Sequence, residues 1–405
     1  MEKSFPKWVR NYPLIVFVLV LLLLIEGCGG KKEVEQLGFI MGIGIDSGKD
    51  PGKYKVTCQL ALPKSGGGNG TETEDWTITS EVSTISGVIE NISQVLNKSS
   101  FAGTARIIVL GEGLARSDIN EALDHFQRYY DFRRTIYLVL ARGEAKDILE
   151  TQLRTKQLPA LDILGTIQGQ PTFSSFPVTR LGHYLTILGR ANQNPVIPVV
   201  QKTKHGEKEI EYADEKGEEL LVEGAGVFEN GKLVDCLCDE ETKGFMWLDN
   251  TVKNRFINAE TEGLILSAWV RKTSTKFKIE TNADGKEGIT FQIKTKASID
   301  EIKGQQKSMN LEEWKAYTKS LEPVVAQAIE KECRAAVDKS KAIHADFIGI
   351  GRKVEQKDPK FWNQVKPDWL NQLADFPVSY DIQVTLEHTG LPLNSPVSPQ
   401  KSGQE

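Results

Sequence analysis

Alternation of apolar and polar positions resolves most of the chain into elements. Tyr54, Val56, Cys58, Leu60 and Leu62 alternate with polar neighbours, the period-two pattern of a half-buried strand. Residues 38–46 predict an earlier strand ending in a turn, and residues 105–110 and 135–141 are short apolar runs that read as buried strands. Ile85, Val88, Ile89, Ile92, Val95 and Leu96 recur at helical spacing. Residues 118–130 predict an amphipathic helix with Ser117 as its N-cap, and residues 144–152 predict another helix. The Gly- and Ser-rich residues 64–71 read as a flexible loop.

The pattern changes twice further on. Residues 158–200 carry many Pro, Gly and Thr breaks, and residues 220–234 then read as a hairpin around Asn230-Gly231. Strands are predicted at 264–270, 276–280 and 289–297. A long helix follows, in which Trp314, Tyr317, Leu321, Val324, Val325, Ala328, Ile329, Ala336 and Val337 share one face. Pro323 falls inside that pattern and predicts a kink or a helix start there. Val378, Tyr380, Ile382, Val384 and Leu386 close the pattern as a strand. The fold class expected is α+β, in three domains with mixed or antiparallel sheets and flanking helices. The boundaries expected are 28–155, 156–255 and 256–392, with a disordered Pro-, Ser- and Gln-rich tail over 393–405.

The first residues have a different character. Lys3, Lys7 and Arg10 precede an uncharged apolar run of 12 residues, 14–25. That run is shorter than the ~20 residues a membrane-spanning helix needs and matches the apolar region of a signal peptide. It stops at Ile25-Glu26-Gly27-Cys28. An aliphatic residue at −3 and Gly at −1 before a Cys resemble the bacterial lipobox, in which the thiol receives a diacylglyceryl group and the preceding peptide is removed. Cys28 is therefore the expected lipid attachment site and residues 1–27 the leader, although Glu26 departs from the small or apolar residue usual at −2.

Composition then narrows the function. The 405 residues carry 50 Lys+Arg against 55 Asp+Glu, a net charge of −5. Loss of the leader removes three basic and two acidic residues and leaves the chain at about −6. An acidic chain argues against nucleic acid as a partner, because phosphate binding needs a basic face. It also leaves membrane retention to the acyl anchor, since anionic headgroups would repel the protein. Five cysteines are too few for a disulfide scaffold.

Candidate chemistry is sparse. Gly38, Gly42 and Gly44 have the wrong order for a dinucleotide loop and read as close turns beside a sheet. Cys236 and Cys238 form Cys-x-Cys without two further metal ligands nearby, and read as plain thiols rather than a redox pair or metal site. The five histidines are scattered, and no nucleophile elbow, His-Glu-x-x-His or phosphate loop occurs. No catalytic residue, cofactor or metal is expected, and a binding or assembly role is favoured over an enzyme.

Ordered motifs then carry a family resemblance. They are Glu35-Gln36-Leu37-Gly38-Phe39 with Gly42-Ile43-Gly44-Ile45-Asp46, and Arg142-Gly143-Glu144-Ala145-Lys146-Asp147-Ile148-Leu149. The middle of the chain adds Glu223-Gly224-Ala225-Gly226-Val227-Phe228, Lys232-Leu233-Val234 and Glu241-Thr242-Lys243-Gly244-Phe245-Met246-Trp247-Leu248. The last third adds Ala345-Asp346-Phe347-Ile348-Gly349-Ile350-Gly351, Pro359, Trp362, Trp369, Phe376-Pro377-Val378 and Gly390. In this order they resemble the C subunits of spore germinant receptors, the Ger(x)C lipoproteins. Gly29-Gly30 departs from the aromatic-Asp pair often found after the lipobox Cys.

The resemblance implies a lipid-anchored, non-enzymatic subunit on the outer face of the spore inner membrane. It also implies assembly with an integral-membrane A subunit and a transporter-like B subunit in nutrient-triggered germination. The alternative is a solute-binding lipoprotein of a transporter, which would need two similar strand–helix lobes around a cleft. The turn at Gly349–Gly351 is expected to be structural, with shaping of a partner surface as the lesser reading.

Overall fold

The computed structural model describes residues 37–63, 73–96, 98–170, 173–190, 192–203, 218–261, 263–281, 285–304 and 309–387. Cys28 and the leader, residues 64–71 and the tail lie outside the described residues. The fold is α+β, with two mixed sheets and helices packed against them.

The first sheet takes strands from the whole stretch between Leu37 and Leu237. Its order is β3 (Thr73–Val82), β2 (Tyr54–Pro63), β1 (Leu37–Ser47), β5 (Ile107–Leu110), β6 (Tyr137–Ala141), β7 (Val196–Thr203), β8 (Glu219–Glu229) and β9 (Lys232–Leu237). The short β4 (Ser99–Phe101) also pairs with β1. The pairs from β1 through β5 and β6 to β7 are parallel, and both flanks are antiparallel. Strands of the first two expected segments thus share one sheet.

The apolar run Ile107-Ile108-Val109-Leu110 shows why the central strands lack alternation. Ile108 and Leu110 face a core built with helices Ser86–Val95, Asn120–Arg128 and Leu181–Leu188. Ile107 and Val109 face the opposite core, under helices Ala145–Leu149 and Pro159–Gly169. Successive side chains of a strand point to opposite faces, so a strand covered on both sides must be apolar at every position.

The second sheet is β10 (Arg255–Thr261), β11 (Leu264–Thr281), β12 (Glu287–Lys303) and β13 (Val378–Glu387), the last parallel to its neighbour. The 32-residue helix Leu311–Ala342 lies along it, burying Leu321, Val325, Ile329, Cys333, Ala336 and Val337. The same core includes Val196, Ala225, Val227 and Leu237 of the first sheet, so apolar packing runs continuously from one sheet to the other. Among the described residues no helix is long and apolar enough to cross a membrane.

Three local expectations change. The helix expected over 118–130 is two helices, Glu112–Ser117 and Asn120–Arg128. Ser117 ends the first and donates to Leu114 O at 2.8 Å, while the Asp118 carboxylate accepts from Asn120 N at 2.7 Å. The hairpin turn causes this break. Asn230 and Gly231 have φ of 49° and 82°, the pair of positive values that a tight turn needs. The turn docks there, with Gly231 O accepting from Ile119 N at 2.9 Å and Asn230 O accepting from Asn120 Nδ2 at 3.0 Å.

The strands expected at 264–270 and 276–280 are one continuous strand of 18 residues. The polar run Arg271-Lys272-Thr273-Ser274-Thr275 masks its continuity, yet it stays paired to β12, with a register shift between Val270 and Lys272. The long helix does not begin at Pro323. It begins after Asn310, whose side chain accepts from Glu312 N and Glu313 N at 3.0 Å each, and Asn310 N donates to Glu313 Oε2 at 2.9 Å.

Helix Asp239–Leu248 crosses that long helix at Gly244, where a methyl group would stand 1.8 Å from Glu332 O. Replacing Gly244 with Ala is therefore expected to force the helices apart and to lower the unfolding free energy by more than ~2 kcal/mol. Urea denaturation of the variant against wild type measures this; an unchanged midpoint would contradict the close crossing.

Candidate functional site

The motifs that are distant in sequence meet in space, and each meeting is a packing solution. Gly42 and Gly44 lie beneath two helices. A Cβ on Gly42 would fall 2.4 Å from Ala160 Cβ, and one on Gly44 would fall 2.9 Å from Leu149 Cδ1. The next motif residue, Asp46, is buried, and its carboxylate accepts from Ala145 N at 2.7 Å and Lys146 N at 3.0 Å. The 42–46 and 142–149 motifs are thus one unit in which a strand clamps a helix N-terminus. Gly224 has φ of 75°, and a Cβ there would meet Leu237 O at 2.6 Å.

The Cys-x-Cys pair has a structural role. Cys238 is the N-cap of helix Asp239–Leu248, and its N–H donates to Glu241 Oε2 at 2.8 Å in a capping box. Both thiols are free. Among the described residues no group of three or more His, Cys, Asp or Glu side chains could hold a metal. Glu332 then joins helix to sheet: its carboxylate accepts from Trp247 Nε1 at 2.8 Å and pairs with Arg255, whose guanidinium lies 5.5 Å from the Trp247 ring centre.

The densest polar cluster lies where the two sheets meet. Asp346 is 1% exposed. Its Oδ1 accepts from Ile350 N at 2.8 Å, and its Oδ2 accepts from Gly351 N at 2.6 Å and Trp369 Nε1 at 3.0 Å. Burial pushes this carboxyl above its ordinary range, opposed by the three donors and by the Lys353 ammonium. Lys353 is half-buried; desolvation lowers its pKa against the attraction of Asp249 and Asp346, and its Nζ donates to Ile348 O at 2.6 Å.

From the other side, Asn194 N donates to Asp346 O at 2.9 Å and Asn194 Nδ2 to Phe228 O at 3.0 Å. Arg352 Nη1 donates to Gln193 Oε1 at 3.2 Å, and Asn192 Nδ2 donates to Glu355. Gly349 has φ of 70°, and a Cβ there would be 2.9 Å from Gln193 Cδ. The Gly349–Gly351 turn is buried in this junction, so it is a structural turn and presents no partner surface. Sequence reasoning did not single out Asn192, Gln193, Asn194, Asp249 or Lys353; no local pattern marks residues such as Asn192 and Gln193, whose partners lie 163 and 159 positions away.

Comparison with known proteins agrees with this architecture. The family model described as spore germination protein N-terminal domain matches residues 30–202. The model described as spore germination B3/GerAC like, C-terminal, matches residues 223–390. The chain belongs to this family, the Ger(x)C spore germination proteins. It is 26% identical over 382 residues to spore germination protein B3 of Bacillus subtilis (strain 168), covering 91% of this chain and 96% of that protein. It is 25% identical over 410 residues to spore germination protein KC of the same organism, covering 97% and 99%. The crystal structure of the GerBC protein shares the fold, with a TM-score of 0.54 at 24% identity over 88% of this chain and 100% of that one.

Two measurements check the site. Asp346→Asn replaces an acceptor by an amide facing three donors, and is expected to cost ~2–4 kcal/mol in urea unfolding. Burial pushes the Cys58 thiol up to about 12 and raises Cys333 well above the ordinary thiol range. In native protein at pH 8, maleimide is therefore expected to label exposed Cys238 and to spare Cys58 and Cys333 until the chain unfolds. Peptide mass spectrometry reads the pattern, and rapid native labelling of Cys333 would contradict the described packing.

Proposed function

We propose that this chain is the lipid-anchored, non-enzymatic C subunit of a nutrient germinant receptor. On this reading Cys28 carries the acyl chains on the outer face of the spore inner membrane, and the A and B subunits are the protein partners. The family match across both sheets carries the germination role. The anchoring rests on the sequence alone: a basic start, an apolar run of 12 residues and a Cys in lipobox context.

The physics favours this division of labour. Two acyl chains bind a bilayer stably where one does so marginally, at ~0.8 kcal/mol per buried CH₂. Confinement to the membrane then raises the effective concentration of partners, so weak contacts suffice for assembly. The solute-binding alternative calls for two similar lobes, whereas the two sheets here differ in strand number, order and helix cover.

Cys28→Ala is expected to move the subunit from the membrane to the soluble fraction and to reduce nutrient-triggered germination of spores. Fractionation with immunoblotting, together with the fall in optical density on nutrient addition, reads both effects. Unchanged membrane retention would overturn the anchoring, and unchanged germination in a strain lacking the whole chain would overturn the receptor role.

A further inference from the structure

The second sheet has one covered face and one open face. Leu266, Ala268 and Val270 of β11 and Phe291, Ile293 and Ala297 of β12 lie in the core with the long helix. Side chains alternate along a strand, so Trp269, Lys276 and Lys278 of β11 and Lys294 and Lys296 of β12 point away from that core. Beyond the register shift at Arg271, Lys272 pairs with Lys296 and joins them. An antiparallel sheet commonly leaves such a face to water, but the composition of this one is unusual for a merely solvated surface.

One end of the face is aromatic. Phe256 of β10 is the cross-strand partner of Trp269, with ring centres 4.3 Å apart. Phe173, from the segment before β7, packs on the same indole at 5.7 Å. Ile265 stands four residues before Trp269 on the same side of β11. Phe173 is 54% exposed, Phe256 42% and Ile265 43%. Exposed apolar side chains scattered singly are ordinary, whereas touching rings that stay open to solvent mark an interaction site.

The middle of the face is cationic. Arg271, Lys272, Lys276 and Lys294 are exposed and enter no ion pair among the described residues. Arg271 Nε donates to Ser298 Oγ at 3.1 Å, which keeps its guanidinium on the Trp269 side. Lys278 and Lys296 have acidic neighbours, Glu280 at 3.8 Å and Glu387 at 2.7 Å. Acidic residues surround these cations and do not interrupt them: Glu260 is on β10, Asp381 and Glu387 are on β13, and Glu280, Asp300 and Glu301 are near strand ends. The net charge of −5 conceals this segregation.

The combination selects a partner. Interfaces between proteins are depleted in Lys, and their cations are mostly Arg. Trp and Phe beside several Lys is instead the composition of surfaces that lie in the headgroup layer of a membrane. We propose that the open face of the second sheet docks on an anionic bilayer. Phe173, Phe256 and Ile265 enter the headgroup layer, and Arg271, Lys272, Lys276 and Lys294 meet lipid phosphates. This deepens the membrane reading given above and rests on it: the acyl chains attach the protein, and weak contacts of a tethered face then suffice to orient it.

The test compares the full-length chain in phosphatidylcholine vesicles and in vesicles of phosphatidylcholine with phosphatidylglycerol. Acetylation of amines, read by peptide mass spectrometry, reports each lysine. Lys272, Lys276 and Lys294 are expected to react at least ~5-fold more slowly in the anionic vesicles. Lys319, exposed on the long helix, is expected to react equally in both. About 1 M salt is expected to abolish the protection, because it shortens the screening length to ~3 Å. Lys272→Gln combined with Lys276→Gln, both at exposed positions, is expected to weaken protection of Lys294 several-fold with an unchanged melting temperature. Equal labelling of the three lysines in the two vesicle types would overturn the docking. So would protection in native membranes but not in the anionic vesicles, which would assign the face to an acidic protein. Flotation with phosphatidylcholine vesicles reads the acyl attachment separately, so a failed anchor and a failed face give different results.

Discussion

The buried Asp346 carboxylate is the constraint around which the second half of the protein is arranged. Removing such a group from water costs several kcal/mol unless its oxygens find partners. Here they find two backbone N–H groups at the start of helix Ile350–Lys357 and the indole of Trp369. These bonds fix where the helix starts and hold a second helix, Trp369–Asp375, against it. The backbone carbonyl of the same residue accepts from Asn194 of the first half. One residue therefore sets the helix cluster and its attachment to the larger sheet, while the shared apolar core supplies the bulk of the packing energy.

Glycine makes this closeness possible. At Gly349 the backbone is left-handed and faces Gln193; at Gly351 a Cβ would sit 2.6 Å from Trp369 Nε1. The first sheet repeats the device: Gly42 and Gly44 bring helices onto β1, and Asp46 caps one of them through Ala145 N and Lys146 N. In both places a small residue removes the steric barrier and a buried carboxylate selects the orientation.

Much of the fold was legible because periodicity reports burial directly. Strands β1 and β2, the helix over 86–95, the Asn230-Gly231 hairpin and the closing strand β13 stand close to where the pattern places them. Two of the three misplacements share a cause, contacts distant in sequence, while the start of the long helix was set locally by the Asn310 cap. The helix over 118–130 is broken by a turn 110 residues away, and the polar stretch after Val270 stays in a strand because β12 pairs with Lys272 to Thr275 beyond the register shift at Arg271. Strands β3 and β10 went unread because each is a sheet edge with polar or exposed positions, such as Glu81 and Asn258, between its apolar ones. Of the polar junction, sequence showed Asp346 only within a motif and gave no sign of the Asn192–Asn194 segment that faces it.

The residues that carry the family resemblance and those that line a cleft where the two sheets meet divide along physical lines. Asp46, Gly224, Gly244, Asp346 and Gly351 act inside the protein, where a change of one methyl group or one charge alters packing. Arg190 and Lys366 stand at exposed positions on the rim, while Glu355, also exposed, accepts from Asn192 Nδ2 across the junction. Trp362 belongs to both sets: its ring packs against Trp369 and next to Gly351, while its residue forms part of the cleft wall.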